Sequence, residues 1–361
     1  MSESNFWKNK KVFITGHTGF KGSWMSIWLN MLGANVKGYS LQPPSKPSLF
    51  EEANVSLLLN SEINDIRNFN NLSKSIQEFS PEIIFHMAAQ PLVRASYNFP
   101  LETYETNVMG TANLLQAAVN SSSVKAIVNI TTDKCYENIE VDIGYKETNR
   151  MGGSDPYSSS KGCAELVTSA YRESFLKQKN IGIASARAGN VIGGGDWAED
   201  RLIPDILRAF KLIKPVVIRN PKATRPWQHV LEPLSGYLLL AEKLFSDPVR
   251  FSEGWNFGPH YDDVKPVDWI LDYMTKLWPN SSWQLDSSIN PHEANLLKLD
   301  ISKAKSQLNW VPTWNLETSL EKIVRWQHSW DSGADMHSVC LAEIKQFIKD
   351  SSKMDAIESL R

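Results

Sequence analysis

Two stretches of this chain, residues 131–136 and 155–161, carry side chains able to move a proton. The second reads Asp155-Pro156-Tyr157-Ser158-Ser159-Ser160-Lys161. Asp155 is a candidate N-cap and Pro156 suits the first helical position, so this segment is expected to open a helix. On that helix Tyr157 and Lys161 stand four residues apart and share one face. An ammonium beside a phenol favours the phenolate and lowers its pKa, which is expected to make Tyr157 a usable base. Thr132 follows the apolar run Ala126–Ile130 and is placed to hydrogen-bond the same substrate hydroxyl. Such a set takes a proton from an alcohol while another group takes the hydride. Tyr-x-x-x-Lys also occurs on ordinary amphipathic helices, so the surrounding elements have to support the chemistry.

Those elements begin at Lys11-Val12-Phe13-Ile14-Thr15, a short apolar strand that runs into Gly16-His17-Thr18-Gly19-Phe20-Lys21-Gly22. A helical pattern follows (Trp24, Ile27, Trp28, Met31, Leu32) and ends at Gly33. Strand, glycine turn and helix is the context in which backbone amides approach a pyrophosphate at a helix N-terminus. A tight turn without a ligand is the plain alternative. The second strand is expected over residues 34–39. An acid at its end would grip the adenosine ribose of NAD, but Ser40 stands there. Lys21, Lys46 and Ser40 could instead accept the 2′-phosphate of NADP. Asp65 is placed either to contact an adenine amine or to cap a helix. A further strand over residues 82–86 ends in His86, read as a packed histidine. It leads into Met87-Ala88-Ala89-Gln90, small residues that let a ligand come close. A helix over residues 101–119 contains Asn107.

Nearly all-apolar strands alternating with helices predict an α/β, Rossmann-type doubly wound parallel sheet covered on both faces. After residue 190 glycines, prolines and tryptophans cluster and the elements shorten, which predicts a smaller C-terminal substrate-binding subdomain. The expected division is residues 1–187, with a returning segment near 226–260, against 188–225 and 261–361. Arg201, Arg219 and Arg225 on loops facing one cleft would suit a diphosphate. Trp310, Trp314, Trp326 and Trp330 are read as packing residues in a helical, amphipathic tail.

The chain has 361 residues with a formal net charge of −2, so nothing favours a nucleic-acid or anionic-membrane partner. Three separated cysteines offer neither a metal site nor a disulfide frame, and a reducing cytoplasm fits. The polar start Met1-Ser2-Glu3-Ser4-Asn5 lacks the apolar core of a signal peptide, and no long apolar run predicts a membrane span.

Four motifs in this order, Gly16-x-x-Gly19-x-x-Gly22, His86-Met87-Ala88-Ala89, Tyr157-x-x-x-Lys161 and Arg187-Ala188-Gly189-Asn190-Val191, resemble the extended short-chain dehydrogenase/reductases that act on nucleotide sugars. Thr132-Asp133 beside the Tyr-Lys pair resembles the 4,6-dehydratases; epimerases usually lack the acid. Four further stretches resemble the subgroup of CDP-D-glucose 4,6-dehydratases. They are Thr132-Asp133-Lys134-Cys135-Tyr136-Glu137-Asn138, Gly193-Gly194-Gly195-Asp196-Trp197, Arg225-Pro226-Trp227-Gln228-His229-Val230 and His292-Glu293-Ala294 with Leu297-Lys298-Leu299-Asp300. The resemblance covers about residues 10–320. It implies a lyase that makes a 4-keto-6-deoxy sugar for bacterial O-antigen synthesis. NAD is the implied cofactor, with NADP less favoured, and CDP-glucose or a related nucleotide sugar is the implied substrate. An epimerase or reductase of the same family, or a non-catalytic NAD-binding scaffold, is the competing reading.

The resemblance also implies roles. Thr132, Asp133, Lys134, Tyr157 and Lys161 are the catalytic set, with Lys134 standing where relatives place a glutamate base. Cofactor contacts fall on Gly16, His17, Thr18, Gly19, Phe20, Lys21, Gly22, Ser40, Asp65, Ile66, Ala88, Ala89, Gln90, Asn107, Thr131, Tyr157 and Lys161. Substrate contacts fall on Gln90, Thr132, Asn190, Gly194, Asp196, Trp197, Arg201, Arg219, Arg225 and His229. No metal is implied. The helices near 101–119 and 157–170 carry apolar residues beyond one face (Leu114, Leu115, Ala117, Ala118; Ala164, Leu166, Val167, Ala170), and the resemblance implies that they pair across a homodimer or homotetramer.

Overall fold

The computed structural model describes residues 5–286 and 296–358. The motif His292-Glu293-Ala294 lies outside the described residues. Seven strands form one parallel sheet: β1 (Lys11–Thr15), β2 (Asn35–Ser40), β3 (Asn60–Ile63), β4 (Ile83–His86), β5 (Ala126–Ile130), β6 (Gly182–Ala188) and β7 (Gly254–Phe257). Their order is β7-β6-β5-β4-β1-β2-β3. The order reverses at β1, where β4 lies on one side and β2 on the other. Ligands of open α/β sheets bind in the crevice outside the carboxyl ends of strands at such a switch point. The glycine turn leaves β1 there, and residues 87–90 leave β4 beside it.

β5 and β6 are buried along their whole length. Strands covered on both faces read as unbroken apolar runs, which is why their positions are visible in the sequence. One apolar cluster joins one face of the sheet to the helices Phe20–Met31 and Leu231–Ser246, and a second fills the other face beneath Gly110–Val119. A third, smaller cluster joins Ile192, Ile206, Phe210, Ile218, Ile270, Met274, Leu320 and Ile323. It gathers side chains from residues 192–324, but the chain's end packs elsewhere. Trp310, Trp314, Trp326, Cys340, Ile344 and Phe347 pack into the first cluster, with Phe347 against Trp28. The helix Met336–Glu358 therefore covers the helix Phe20–Met31 rather than the smaller subdomain.

The helix expected at 101–119 starts at Pro100 and is interrupted by a π turn, Glu105–Met109, which carries Asn107. Its residues Leu114, Leu115, Ala117 and Ala118 are buried inside the subunit, because they close the cluster over Ile84 and Ile127. The outward apolar surface comes from Leu166, which was among the expected residues, and from side chains that were not. Leu101 (77% exposed) and Leu166 (61% exposed) stand out beside exposed Tyr97, Phe99 and Met109. Among the described residues no helix is long and apolar enough to cross a membrane, and no group of three metal-ligating side chains converges.

Candidate active site

Asp155 caps the helix Pro156–Tyr171 by accepting from Ser158 N at 2.9 Å, with proline in the first turn. Tyr157 and Lys161 are both buried on its inner face. The chain leaves β5 at Thr131 and bends through a 3₁₀ turn, Asp133–Cys135. In a continuing strand, neighbouring side chains would point to opposite faces. The bend instead brings Thr132, Asp133 and Lys134 together. Thr132 Oγ1 donates to Asp133 Oδ1 at 2.9 Å, and Lys134 Nζ donates to the same oxygen at 3.3 Å. Lys134 Nζ also reaches Asn190 Oδ1 at 3.5 Å. Asp133 has no accessible surface, and its Oδ2 lacks a hydrogen-bond partner among the described residues.

Burial pushes the Tyr157 phenol up to about 12, outweighing the nearby Thr132 hydroxyl, which favours the phenolate. The expected lowering by Lys161 is not what the structure shows. Lys161 Nζ donates to the carbonyl of Ile130 at 3.4 Å, and its own burial lowers it to about 8. His86 is packed, bridging Thr15 Oγ1 at 2.7 Å and Thr111 Oγ1 at 3.1 Å, and burial takes it down to about 3.

Behind the site lies a buried network that sequence reasoning missed. Thr131 Oγ1 donates to Glu165 Oε1 at 2.6 Å, and Ser185 Oγ to Oε2 at 2.5 Å. Arg187 donates to both oxygens of Glu165, and also to Tyr136 OH at 2.8 Å. Burial opposes ionisation of Glu165, but the Arg187 charge and these bonds hold its carboxyl below the usual range. The available signal was Arg187 itself, a charge inside an apolar strand that requires a partner.

The glycine turn suits a pyrophosphate. Gly16 has φ +78°, and a Cβ there would stand 2.7 Å from Ala88 N. The helix Phe20–Met31 opens at Gly19 with no side-chain cap and no acid in its first turn. Its amides therefore face the crevice with their positive end undiluted. Ala88 N donates to Thr15 Oγ1 at 3.1 Å, which fixes the facing loop. Asn107 grips Gln90 through N (2.8 Å) and O (3.1 Å) and donates to Ser160 at 2.9 Å. Both ends of the Gln90 amide are engaged, by Thr103 and by Leu92 N. At the end of β2, Ser40 Oγ meets Thr18 Oγ1 at 2.8 Å.

Other expected residues lie elsewhere. The His17 ring turns into the space that Gly38 leaves and meets Ser61 at 2.7 Å, and burial lowers it to about 4, so only its backbone remains in the turn. Lys21 does not face the 2′-phosphate position. Burial, then Lys161 and Arg201, lower it to about 7, with Asp133 and Asp196 opposing. Those neighbours belong to the catalytic end of the crevice, and β5 stands three strand spacings, about 14 Å, from β2. Asp65 is held by Arg67, at 2.7 Å from NH2, and Asn68 rather than Asp65 caps the next helix. Ile66 is buried against Gly110.

The three arginines have different settings. Arg201 pairs with Asp196 at 2.7 Å and acts electrostatically on Tyr157. Arg219 lies 3.7 Å from Asp200, which also binds Arg94 at 3.1 Å, a residue not anticipated. Arg225 is buried in the two-residue strand Thr224–Arg225 and donates to Thr224 O. His229 is not a substrate contact. It has no accessible surface and lies against Trp24, Trp314 and Glu343, because the helix Met336–Glu358 seals that side. Trp197 packs on Trp326 and Trp330, and Gly194 abuts Trp326 and accepts from Trp24 Nε1, so both serve packing.

Residues 13–323 match the family model described as GDP-mannose 4,6 dehydratase. The chain belongs to this family. It is 56% identical over 359 residues to a CDP-glucose 4,6-dehydratase of Salmonella typhimurium, covering 98% of this chain and 100% of the relative. A dTDP-glucose 4,6-dehydratase of Haemophilus influenzae is 23% identical, covering 87% and 97%. Among solved structures, a dTDP-glucose 4,6-dehydratase of Bacillus anthracis in complex with NAD has a TM-score of 0.75 at 20% identity, covering 91% of this chain and 99% of that one. A UDP-glucose 4-epimerase of Thermotoga maritima with UDP-glucose has a TM-score of 0.77 at 20% identity, covering 89% and 99%. These last two likenesses concern the fold.

Proposed function

We propose that this chain is an NAD-dependent CDP-glucose 4,6-dehydratase, forming CDP-4-dehydro-6-deoxy-D-glucose and water. One observation separates this from epimerase chemistry: the buried Asp133 carboxyl hydrogen-bonded to Thr132, beside Tyr157. An epimerase has no leaving hydroxyl to protonate, whereas elimination needs an acid at that point. The 56% identity over 98% of the chain supports the choice of sugar nucleotide.

The glycine turn, Ser40 and Lys161 are placed to hold the dinucleotide. When bound, NAD supplies the hydride acceptor at C4 and the hydride donor at C6. Tyr157 receives the C4 hydroxyl proton, and Thr132 orients that hydroxyl. The resulting ketone acidifies the C5 hydrogen, which a base removes and later returns. Lys134, between Asp133 and Asn190, is assigned to that position, and Asp133 protonates the departing C6 hydroxyl. Arg201 and Arg219 supply charge for the diphosphate. The exposed apolar face of Tyr97, Phe99, Leu101, Met109 and Leu166 supports a homodimer, and larger than a single exposed side chain, it is the kind of patch that marks an interface. Product of this type serves bacterial dideoxysugar synthesis.

The test is turnover of CDP-, dTDP-, GDP- and UDP-glucose, read as the absorbance that a 4-keto-6-deoxy sugar develops in base. CDP-glucose is expected to lead with NAD, and NADP to give less. Equal rates on all four bases, or a product without that absorbance, would remove the assignment.

A further inference from the structure

Three elements meet at the mouth of the catalytic crevice. The helix Val93–Asn98 follows the loop that leaves β4 and carries Arg94. It is tied to the catalytic helix, because the buried Ser96 hydroxyl accepts from Tyr157 N at 3.2 Å. The segment 196–201 carries Asp196, Asp200 and Arg201, and the Arg201 charge acts on Tyr157. Arg219 follows directly on the strand Val216–Ile218. Arg94 NH1 donates to Asp200 Oδ1 at 3.1 Å, and Arg219 NH2 lies 3.7 Å from the same oxygen. An ordinary surface pair joins two charges. Here one carboxylate oxygen collects two guanidiniums from separate elements, beside the start of the catalytic helix.

Resting on the dehydratase reading, we propose that Arg94 is a further ligand of the sugar nucleotide's diphosphate, and that Asp200 holds the diphosphate's place until substrate displaces it. Two guanidiniums aimed at one point repel each other unless an anion stands there. The planar fork of arginine accepts a carboxylate and a phosphate in the same way. Asp200 therefore keeps Arg94 and Arg219 directed at the spot where one anionic ligand would bind both.

The two aspartates of this segment differ in how firmly they are held. Asp196 is nearly covered, accepts from Ala198 N at 3.1 Å and pairs with Arg201 at 2.7 Å, so it is part of the frame. Asp200 is half-exposed, and among the described residues its carboxylate meets only Arg94 and Arg219. Exposed ion pairs contribute little, so exchanging these two for a ligand costs little. A diphosphate brings more charge and more acceptor oxygens than one carboxylate, and wins the exchange. Asp200 has φ +57°, a left-handed conformation that asparagine also tolerates. Asp200→Asn therefore removes the charge and keeps the backbone.

The experiment titrates CDP into the NAD-loaded full chain by calorimetry, with cytidine affinity read by displacement. Asp200→Asn is expected to bind CDP about 3- to 10-fold more tightly than wild type, the effect of freeing two exposed ion pairs, and to bind cytidine as before. Arg94→Met is expected to bind CDP about 10-fold more weakly and to raise KM for CDP-glucose by the same factor. Its single-turnover rate at saturating substrate and its affinity for NAD are expected to stay as in wild type. In a chain carrying Arg94→Met and Arg219→Met, adding Asp200→Asn is expected to change CDP affinity less than about 2-fold, because the groups it acts through are gone. Unchanged CDP affinity in Asp200→Asn would overturn the proposal, as would a loss in Arg94→Met that falls equally on NAD. A gain from Asp200→Asn that persists without both arginines would make Asp200 a general repulsive charge, and would equally overturn it. The dehydratase reading fails separately, by a wild type that binds CDP yet forms no 4-keto product from CDP-glucose.

Discussion

Glu165 grips Arg187 with both carboxylate oxygens, at 2.9 and 2.8 Å, directly behind Thr131. Both side chains are buried. Removing one partner of such a pair strands a charge in a low-dielectric setting, at a cost of about 3–5 kcal/mol. Glu165→Gln is expected to lose that much in urea unfolding and to lose activity with it, whereas Glu165→Leu with Arg187→Met is expected to recover most of the stability. A loss below about 1 kcal/mol for Glu165→Gln would mean that the network is incidental to folding.

Lys134 shares Asp133 Oδ1 with Thr132. Lys134→Met is expected to reduce bound NAD on mixing with CDP-glucose, seen as nicotinamide absorbance, and then to stop. Exchange of the C5 hydrogen with heavy water should be lost. Asp133→Asn is expected to behave oppositely, exchanging at C5 while eliminating about 100-fold more slowly. Near-normal C5 exchange in Lys134→Met would assign the base to another residue.

Burial, then Lys161 and Arg201, lower the Lys21 ammonium from about 10.5 to about 7. Between those values the unfolded chain binds the extra proton, so stability rises with pH across that window. Lys21→Met abolishes the slope. The variant is expected to be about 1–2 kcal/mol more stable than the parent at pH 6, a figure reduced for the partial exposure of Lys21, with the gap closing toward pH 10. Parallel stability curves for the two proteins would show that Lys21 does not titrate there.

Leu101 and Leu166 are the most exposed side chains of the apolar face. Leu166→Glu, or Leu101→Glu, places a charge on it and is expected to halve the mass measured by light scattering at micromolar protein while leaving the circular dichroism unchanged. A wild type that is already monomeric would refute the dimer.

The sheet was legible because buried parallel strands write themselves as apolar runs, and the opening of Pro156–Tyr171 because Asp155 and Pro156 act locally. What stayed hidden depends on partners distant in sequence. Glu165 looks like one more position of an amphipathic helix until Arg187, on β6, is laid beside it. His17 and Trp197 sit in stretches that resemble binding motifs, yet tertiary packing turns their rings into Gly38 and Trp326. The π turn that offers Asn107 to Gln90 leaves no mark in periodicity, since one extra residue in a turn only slips the pattern. Lys21 was read by its neighbours in the glycine turn, whereas its direction is set by the catalytic end of the crevice.

The packing of Phe347 on Trp28 bears on how the protein is made. The helix Phe20–Met31, which presents the glycine turn, emerges early from the ribosome, whereas its outer cover, Met336–Glu358, emerges only after the sheet and the smaller subdomain. Until then Trp28, wholly buried in the finished protein, has no lid. Transiently bare apolar surface of this kind is what aggregation and chaperones act on during synthesis. A nascent chain stalled before Met336 would therefore hold every catalytic side chain named above and still lack a settled nucleotide cradle.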